Sequence, residues 1–173
     1  MKKNNREKAM CQLQNELNFI FKDITLLNGA LTHSSYANEH RKTNMIHNER
    51  LEFLGDSVLN LAVSDYIYKK YPYYPEGNLT KIRATVVCES ALALIAKKIK
   101  LGDYLLLGKG EEATGGRNRD SILADALEAL IGAMYLDKGF RDVQRFVIRL
   151  LEKEIMEASK KGELFIDYKT KLQ

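Results

Sequence analysis

The placement of proline limits the fold of this chain more than any other feature of its sequence. Only two prolines occur in 173 residues, Pro72 and Pro75, and both fall in the segment YPYYPEGN. Proline interrupts helices, whereas the rest of the chain repeats leucine and isoleucine at spacings of three and four residues, as amphipathic helices do. The runs TVVC and YLLL are the only segments that resemble strands. We therefore predict an all-α fold with a turn at YPYYPEGN.

The periodic segments are separated by polar and glycine-rich stretches. We predict helices at about residues 6–19, 24–31, 48–70, 79–98 (as one or two helices), 120–139 and 141–160. The third of these begins at Asn48, a suitable N-cap residue. Residues 35–47 are polar and aperiodic, and residues 101–116 are rich in glycine, so both are predicted loops. A chain of this length has room for one domain and a short appendage.

The composition excludes several classes of protein. No apolar run approaches the roughly 20 residues that cross a bilayer, and the basic N-terminus is not followed by the apolar core of a secretory signal. The net charge of +4 favours a polyanionic partner without deciding it. Cys11 and Cys88 stand far apart, which predicts two reduced thiols in or near the core. We expect a cytoplasmic protein without a membrane partner.

The segment HNERLEFLGDS places acids on one stripe of a helix. At about 100° per residue, Glu49, Glu52 and Asp56 fall within roughly 60° of one another. The apolar stripe predicted on the opposite face consists of Leu51, Leu54, Val58, Leu61 and Ala62. Phe53 and Leu59 flank the acids instead. A large aromatic beside acids is costly to leave in water, so Phe53 indicates a packing partner such as a second subunit.

A second acidic stripe lies in SILADALEALIG. Asp125 and Glu128 are three residues apart and share a helix face. The residues predicted to point away from that face are Leu123, Leu127, Leu130 and Met134. Ala129 and Gly132 lie on or beside the acidic face, where small residues allow another backbone or a bulky phosphodiester to approach closely.

Facing stripes on two packed helices would bring four carboxylates together, those of Glu52, Asp56, Asp125 and Glu128. Such a cluster needs a cation to neutralise it. Oxygen ligands without histidine or cysteine suit Mg²⁺, with Mn²⁺ as a substitute, and this arrangement favours phosphodiester hydrolysis. A single acidic stripe is usually a solvated helix face, so spacing alone leaves both interpretations open.

The segment ERLEFLGDS at residues 49–57 resembles the signature motif of the ribonuclease III family. LTHSSYANE at 31–39, PEGNLTKIRA at 75–84 and SILADALEALIGAMYLD at 121–137 resemble the other blocks of that family in the same order. Together these blocks extend over about residues 20–160. The chain is therefore identified as similar to a ribonuclease III endonuclease domain.

The resemblance implies an all-helical homodimer that hydrolyses both strands of double-stranded RNA with a divalent metal and leaves 5′-phosphate and 3′-hydroxyl ends. It also implies a role in processing ribosomal, messenger and other structured RNA precursors. The positions matching the family's metal ligands are Glu52, Asp56, Asp125 and Glu128. Asp56 and Glu128 match the pair tied most directly to hydrolysis. Glu49 and Glu76 match supporting acids, and Phe53 matches an aromatic that enters the partner subunit.

RNA lying across both subunits would need basic side chains near the cleavage site. The candidate phosphate contacts are Lys81, Arg83, Lys109, Arg117 and Arg119. His33 matches the family's THxS block, and we predict a buried, hydrogen-bonded histidine there rather than a catalytic one. The segment GKGEEATGG lacks the ending of a nucleotide-binding loop.

The C-terminal segment GELFIDYKTKLQ resembles the linker and opening residues of a double-stranded RNA-binding domain. We therefore expect a catalytic domain at residues 1–160 and the truncated start of that second domain at 161–173; a helical tail of a shorter protein is the alternative. Two other functions remain open. A non-catalytic relative that binds RNA usually lacks one or more of the acids, and an all-α nucleotide pyrophosphohydrolase explains the acids but not the ordered blocks.

Overall fold

The computed structural model describes residues 2–40 and 45–170, with side chains described for residues 5–40 and 45–160. Its α-helices are α1 (Lys2–Leu17), α2 (Ile24–Ala30), α3 (Ser34–Glu39), α4 (Glu49–Lys70), α5 (Glu76–Val86), α6 (Glu89–Lys98), α7 (Lys109–Ala113), α8 (Asp120–Lys138) and α9 (Phe140–Thr170). Within the described ranges no strand forms, and the β structure is limited to an isolated bridge between Thr32 and Leu106. The predicted all-α fold is confirmed.

The helix bounds depart from the predicted ones in two loops. Residues 34–39 form α3 instead of a loop, because the ring of His33 accepts a hydrogen bond from the backbone N–H of Ser35 and caps the helix. The glycine-rich segment contains α7 and two short 3₁₀ helices, Leu101–Tyr104 and Gly116–Asn118. α9 continues to Thr170, beyond the predicted end near residue 160. The side chains of residues 161–173, expected to begin a second domain, lie outside the described part.

α8 is the central helix of the fold. It contacts α2, α4, α6 and α9, and it is buried on almost every side except where its acids lie. The residues predicted to face the core, Leu123, Leu127, Leu130 and Met134, are all buried. Alanines and a glycine fill the other faces, so neighbouring helices come close to the axis of α8.

The buried face of α4 differs from the predicted stripe. Leu59, predicted to flank the acids, is fully buried, whereas Leu61, predicted to face the core, is 56% exposed. The reason is that α8 crosses α4 at Gly55, on the same side as the acids, and the core extends along that line. Phe53 is 79% exposed.

The structure also bears on the expectations about membrane segments and cysteines. No helix in the described part of the chain combines the length and the apolar character that crossing a membrane requires. Both cysteines are unpaired as predicted, but Cys11 and Cys88 are exposed rather than in or near the core.

Candidate metal centre

Two glycines set the distance between α4 and α8. A Cβ atom added to Gly55 would lie 1.8 Å from the carbonyl oxygen of Glu128, and one added to Gly132 would lie 2.2 Å from the carbonyl oxygen of Leu51. The two backbones are therefore in direct contact at the crossing. The predicted close approach of a backbone at Gly132 is confirmed. The same close approach at Gly55 was not predicted from the sequence. A glycine inside an otherwise regular helix is the signal that could have revealed it.

Three carboxylates from the two helices come together at this crossing. Glu52 of α4 and Asp125 and Glu128 of α8 each offer an oxygen atom, and these atoms lie within 4.8 Å of one another. All three side chains are partly buried. The acidic stripes of α4 and α8 therefore face each other, as predicted.

Asp56 lies beside this cluster rather than inside it. Its carboxylate is exposed, and its Oδ1 accepts a hydrogen bond of 2.8 Å from the side-chain amide of Asn60, one helical turn later. Its negative charge nevertheless raises the pKa of Glu128. The predicted convergence of four acids is thus present for three, with Asp56 next to them.

The cluster holds its protons more tightly than ordinary carboxyl groups. Burial, followed by the charges of Asp56, Asp125 and Glu52, raises the pKa of Glu128 to about 7. Burial and neighbouring acids also raise the pKa of Glu52. For Asp125, burial and Glu89 raise the pKa, while the nearby His33 ring lowers it. Each negative charge is therefore unfavourable here without a cation.

The donor set fits a hard divalent cation. The three clustered side chains offer only carboxylate oxygens, which are the ligands that Mg²⁺ and Mn²⁺ prefer. A divalent cation would also offset the burial and the charge repulsion that raise their pKa values. Glu52, Asp125 and Glu128 are therefore the residues that would hold the metal.

The two acids predicted to support the site lie outside the cluster of three. The carboxylate of Glu49 is 3.9 Å from Nδ1 of His47, and its charge raises the pKa of Glu52. Glu76 accepts a hydrogen bond of 2.6 Å from the hydroxyl of Thr80. It lines a cavity of about 460 Å³ between α4 and α5.

His33 connects the start of α3 to the glycine-rich segment. Its Nδ1 lies 2.7 Å from Oγ of Ser35, and that hydroxyl accepts a hydrogen bond of 2.9 Å from the backbone N–H of Gly108. The ring is hydrogen-bonded as predicted, although it is half-buried rather than buried. Neither its capping role nor its electrostatic effect on Asp125 was predicted from the sequence.

The candidate RNA-binding residues fall into two groups. Arg83 donates to the hydroxyl of Ser64, Arg117 donates to the carbonyl oxygens of Gly102 and Leu105 and pairs with Glu112, and Arg119 pairs with Glu111. These three arginines are therefore engaged within the fold. Lys81 and Lys109 are exposed, and neither has a side-chain partner among the described residues. They are the candidates most available to a phosphate.

Comparisons with known proteins agree with this arrangement. The family model described as Ribonuclease-III-like matches residues 23–155. "Ribonuclease 3" from Caldanaerobacter subterraneus is 55% identical over 93% of this chain and 70% of its own length. "Ribonuclease 3" from Syntrophomonas wolfei is 60% identical over 86% of this chain and 62% of its own length. The chain thus spans about two thirds of the length of these relatives.

A solved structure resembles most of this fold. The nuclease domain of ribonuclease III from Campylobacter jejuni is 45% identical, with a TM-score of 0.76 over 82% of this chain and 95% of that one. The helical fold and the acidic helix crossing together define an all-α domain with a carboxylate cluster that could hold a divalent cation. The extent of the matches then specifies the protein further: the chain belongs to the ribonuclease III family.

Proposed function

We propose that this chain is the catalytic part of a metal-dependent endoribonuclease that hydrolyses double-stranded RNA and leaves 5′-phosphate and 3′-hydroxyl ends. The observation that carries this proposal is the cluster of Glu52, Asp125 and Glu128 at the crossing of α4 and α8, inside the range that the family model matches. Processing of ribosomal and other structured RNA precursors follows from the same family membership.

The acids have distinct proposed roles. Glu52, Asp125 and Glu128 hold a divalent cation, Mg²⁺ by preference and Mn²⁺ as a substitute. When bound, the cation supplies a more acidic water and charge stabilisation at the leaving oxygen. Asp56 and Glu128 are the pair of acids that we expect to take part most directly in hydrolysis. Asp56 stands exposed at the edge of the cluster with its carboxylate oriented by Asn60, where it can hold a water or accept a proton.

We extend the proposal to a homodimer. The Campylobacter jejuni nuclease domain has a region involved in dimer formation. In this chain α4 presents Phe53 at 79%, Leu61 at 56% and Tyr68 at 72% exposure. Leaving that apolar surface in water is unfavourable, so a second copy is the partner we expect on this face of α4. Each subunit would then cut one strand of the duplex.

RNA would lie across both subunits and contact basic side chains. Lys81 and Lys109 are the primary proposed phosphate contacts, because their ammonium groups have no partner among the described side chains. Arg83, Arg117 and Arg119 are secondary contacts, because each would first have to break its hydrogen bonds or ion pairs within the fold.

Glu49 and Glu76 are proposed as supporting acids near the site.

Two further assignments remain part of the proposal. The catalytic domain comprises residues 1–160, and residues 161–173 are the linker and first residues of a double-stranded RNA-binding domain. The protein is cytoplasmic, which is where a bacterial enzyme meets its RNA precursors; its family relatives are bacterial ribonucleases 3.

The decisive experiment compares two substrates under matched conditions. A long RNA duplex and a mixture of nucleoside triphosphates are each incubated with the protein, with Mg²⁺ and with a chelator. We expect cleavage of the duplex only with Mg²⁺, and loss of cleavage in Glu128→Gln. Glu157→Gln is the matched control, because Glu157 is 62% exposed and lies far along α9. Hydrolysis of triphosphates without duplex cleavage would overturn the proposal, as would duplex binding without any cleavage.

A further inference from the structure

A separate cavity lies at the C-terminal end of α8. It has a volume of about 360 Å³ and is enclosed by the connection between α1 and α2, the end of α8 and the first turns of α9. The residues important for its chemistry are Asn18, Phe19, Lys138, Asp142, Arg145 and Arg149. Lys138 follows Glu128 by ten residues, so the cavity lies about 15 Å along α8 from the acidic cluster.

Positive charge dominates the wall of this cavity. Among the described residues, Lys138, Arg145 and Arg149 line the cavity together with one carboxylate, that of Asp142. The neighbouring acid Asp137 is occupied elsewhere, because its carboxylate accepts hydrogen bonds from the backbone N–H groups of Lys22 and Asp23. The surplus of two positive charges matches a doubly charged anion.

Two buried aromatic rings form the floor beneath these cations. The ammonium of Lys138 lies 4.7 Å from the ring centroid of Phe19, and the guanidinium of Arg149 lies 5.6 Å from that of Phe146. The two rings pack edge to face with their centroids 6.3 Å apart. Cation–π contacts therefore hold both positive groups at fixed positions over an apolar surface.

The cations retain donors for a ligand. Lys138 makes no hydrogen bond or ion pair with the described residues. Arg149 donates one N–H to the carbonyl oxygen of Leu17, at 2.5 Å, and its guanidinium carries five N–H donors in all. Within the described part of the chain, Arg145 pairs with Asp142 alone, three residues earlier in α9, and its side chain is 73% exposed at the rim.

We propose that this cavity binds the phosphate group of a small phosphorylated molecule. The three cations that line one cavity can supply charge-assisted hydrogen bonds of the kind that phosphate accepts. The site is concave and bounded by three parts of the chain, which suits a compact ligand better than an extended strand. A phosphate of an RNA strand has the same chemistry, so the experiment has to separate the two sources. The inference does not depend on the proposed nuclease function.

Inorganic pyrophosphate is the probe for this site. It is titrated into the protein without divalent cations, at constant ionic strength balanced with sodium chloride, and backbone amide shifts are followed by NMR. We expect saturable shifts at Asn18 and Phe19 and in the first turns of α9. Arg145→Gln should weaken pyrophosphate binding about tenfold, because it removes one charged donor. Asp142→Asn should strengthen binding, because it removes the opposing charge and releases Arg145.

Arg141→Gln is the matched control, since Arg141 is an exposed arginine of α9 outside the cavity. Its affinity for pyrophosphate should equal that of the unmodified protein. Equal weakening in Arg141→Gln and Arg145→Gln would reduce the effect to general electrostatics and overturn the proposal, as would the absence of saturable shifts. A short RNA duplex is the second arm. Displacement of pyrophosphate by the duplex at these amides would assign the phosphate to an RNA strand and overturn the small-molecule source.

Discussion

Gly55 of α4 rests directly on the backbone of Glu128 in α8, with no room for a side chain between them: a Cβ atom at Gly55 would lie 1.8 Å from the carbonyl oxygen of Glu128. The same contact that packs the two helices also sets how closely their acids approach. Stability and the metal site therefore depend on one helix crossing.

Replacing Gly55 by alanine should damage both properties. Because the added Cβ would meet a backbone atom that cannot turn away, α4 has to shift, and we expect the free energy of unfolding to fall by about 3 kcal/mol or more. Chemical denaturation measures this loss. Gly77→Ala is the control, because nothing lies within 4 Å of a Cβ at Gly77 in α5. That variant should keep or slightly raise stability. Equal stability of Gly55→Ala and Gly77→Ala would contradict the close contact.

The raised pKa of Glu128 predicts how stability depends on pH in the metal-free protein. Its pKa is about 7 in the folded chain, against an ordinary value of 4.5. Below pH 4.5 the carboxyl is protonated in both the folded and the unfolded state, so it does not reduce the free energy of unfolding. Between pH 4.5 and 7 the unfolded state ionises more readily than the folded state, and the free energy of unfolding falls progressively. After allowance for its partial exposure, the loss is roughly 1–2 kcal/mol. Glu52 and Asp125 act in the same direction.

Urea denaturation at pH 5 and pH 8 with a chelator present measures this dependence. The free energy of unfolding of Glu128→Gln should depend less on pH than that of the unmodified protein. That of Glu157→Gln should show the same pH dependence as the unmodified protein. Mg²⁺ should restore stability at pH 8. Below about pH 7, where Glu128 is still largely protonated, Mg²⁺ binding should also release protons. An unchanged pH dependence in Glu128→Gln would show that this carboxyl is not the group responsible.

The acids should also differ in their contribution to metal affinity. Glu52→Gln removes one of the three clustered donors and should weaken Mn²⁺ binding at least about tenfold. Glu49→Gln and Glu76→Gln should have much smaller effects, because neither carboxylate belongs to the group of three. Calorimetric titration of Mn²⁺ without RNA separates these outcomes from effects on catalysis. Equal weakening by all three substitutions would mean that the ligands rearrange when metal binds.

Helix geometry places Glu52 and Asp56, or Asp125 and Glu128, on one side of a helix, but spacing alone left a solvated face as an alternative. The resemblance to the ribonuclease III family was needed to predict that these acids act together. The sequence could not show which side of α4 packs on α8. Since Gly55 adjoins Asp56, the packing line and the acidic stripe nearly coincide, and a helical wheel does not separate them. For that reason Leu61 was wrongly placed in the core and Leu59 outside it.

The loop between α2 and α4 shows another limit of the sequence analysis. Residues 34–39 have little apolar periodicity, and His33 is not among the usual N-cap residues, so no local signal indicated α3. Besides the cap that His33 provides, α3 is held by tertiary contacts. Ser35 and Glu39 accept hydrogen bonds from the backbone N–H groups of Gly108 and Lys109, about seventy residues later in the chain.

Phe53 tests the proposed dimer. Phe53→Ala removes a side chain that is 79% exposed in the single chain, so the stability of the monomer should hardly change. Self-association should weaken about tenfold or more if the ring enters a second copy. Sedimentation or light scattering over a dilution series measures this. Tyr73→Ala is the control, because Tyr73 is 95% exposed in the turn before α5. Identical dissociation midpoints for the two variants would exclude an interface role for Phe53.

The two groups of basic residues should respond differently to substitution. Lys109→Gln should lower the affinity for duplex RNA and reduce the slope of its salt dependence by about one, because one phosphate contact is lost while the fold stays intact. Arg117→Gln should instead destabilise the protein by about 1–3 kcal/mol, since its guanidinium donates to the carbonyl oxygens of Gly102 and Leu105. Both substitutions are made in a catalytically inactive Glu128→Gln protein. Binding of duplex RNA at several salt concentrations and thermal unfolding then distinguish the effect of Lys109→Gln from that of Arg117→Gln. An unchanged salt slope in Lys109→Gln would mean that the RNA does not contact Lys109. A large loss of stability in that variant would mean that Lys109 is engaged within the fold.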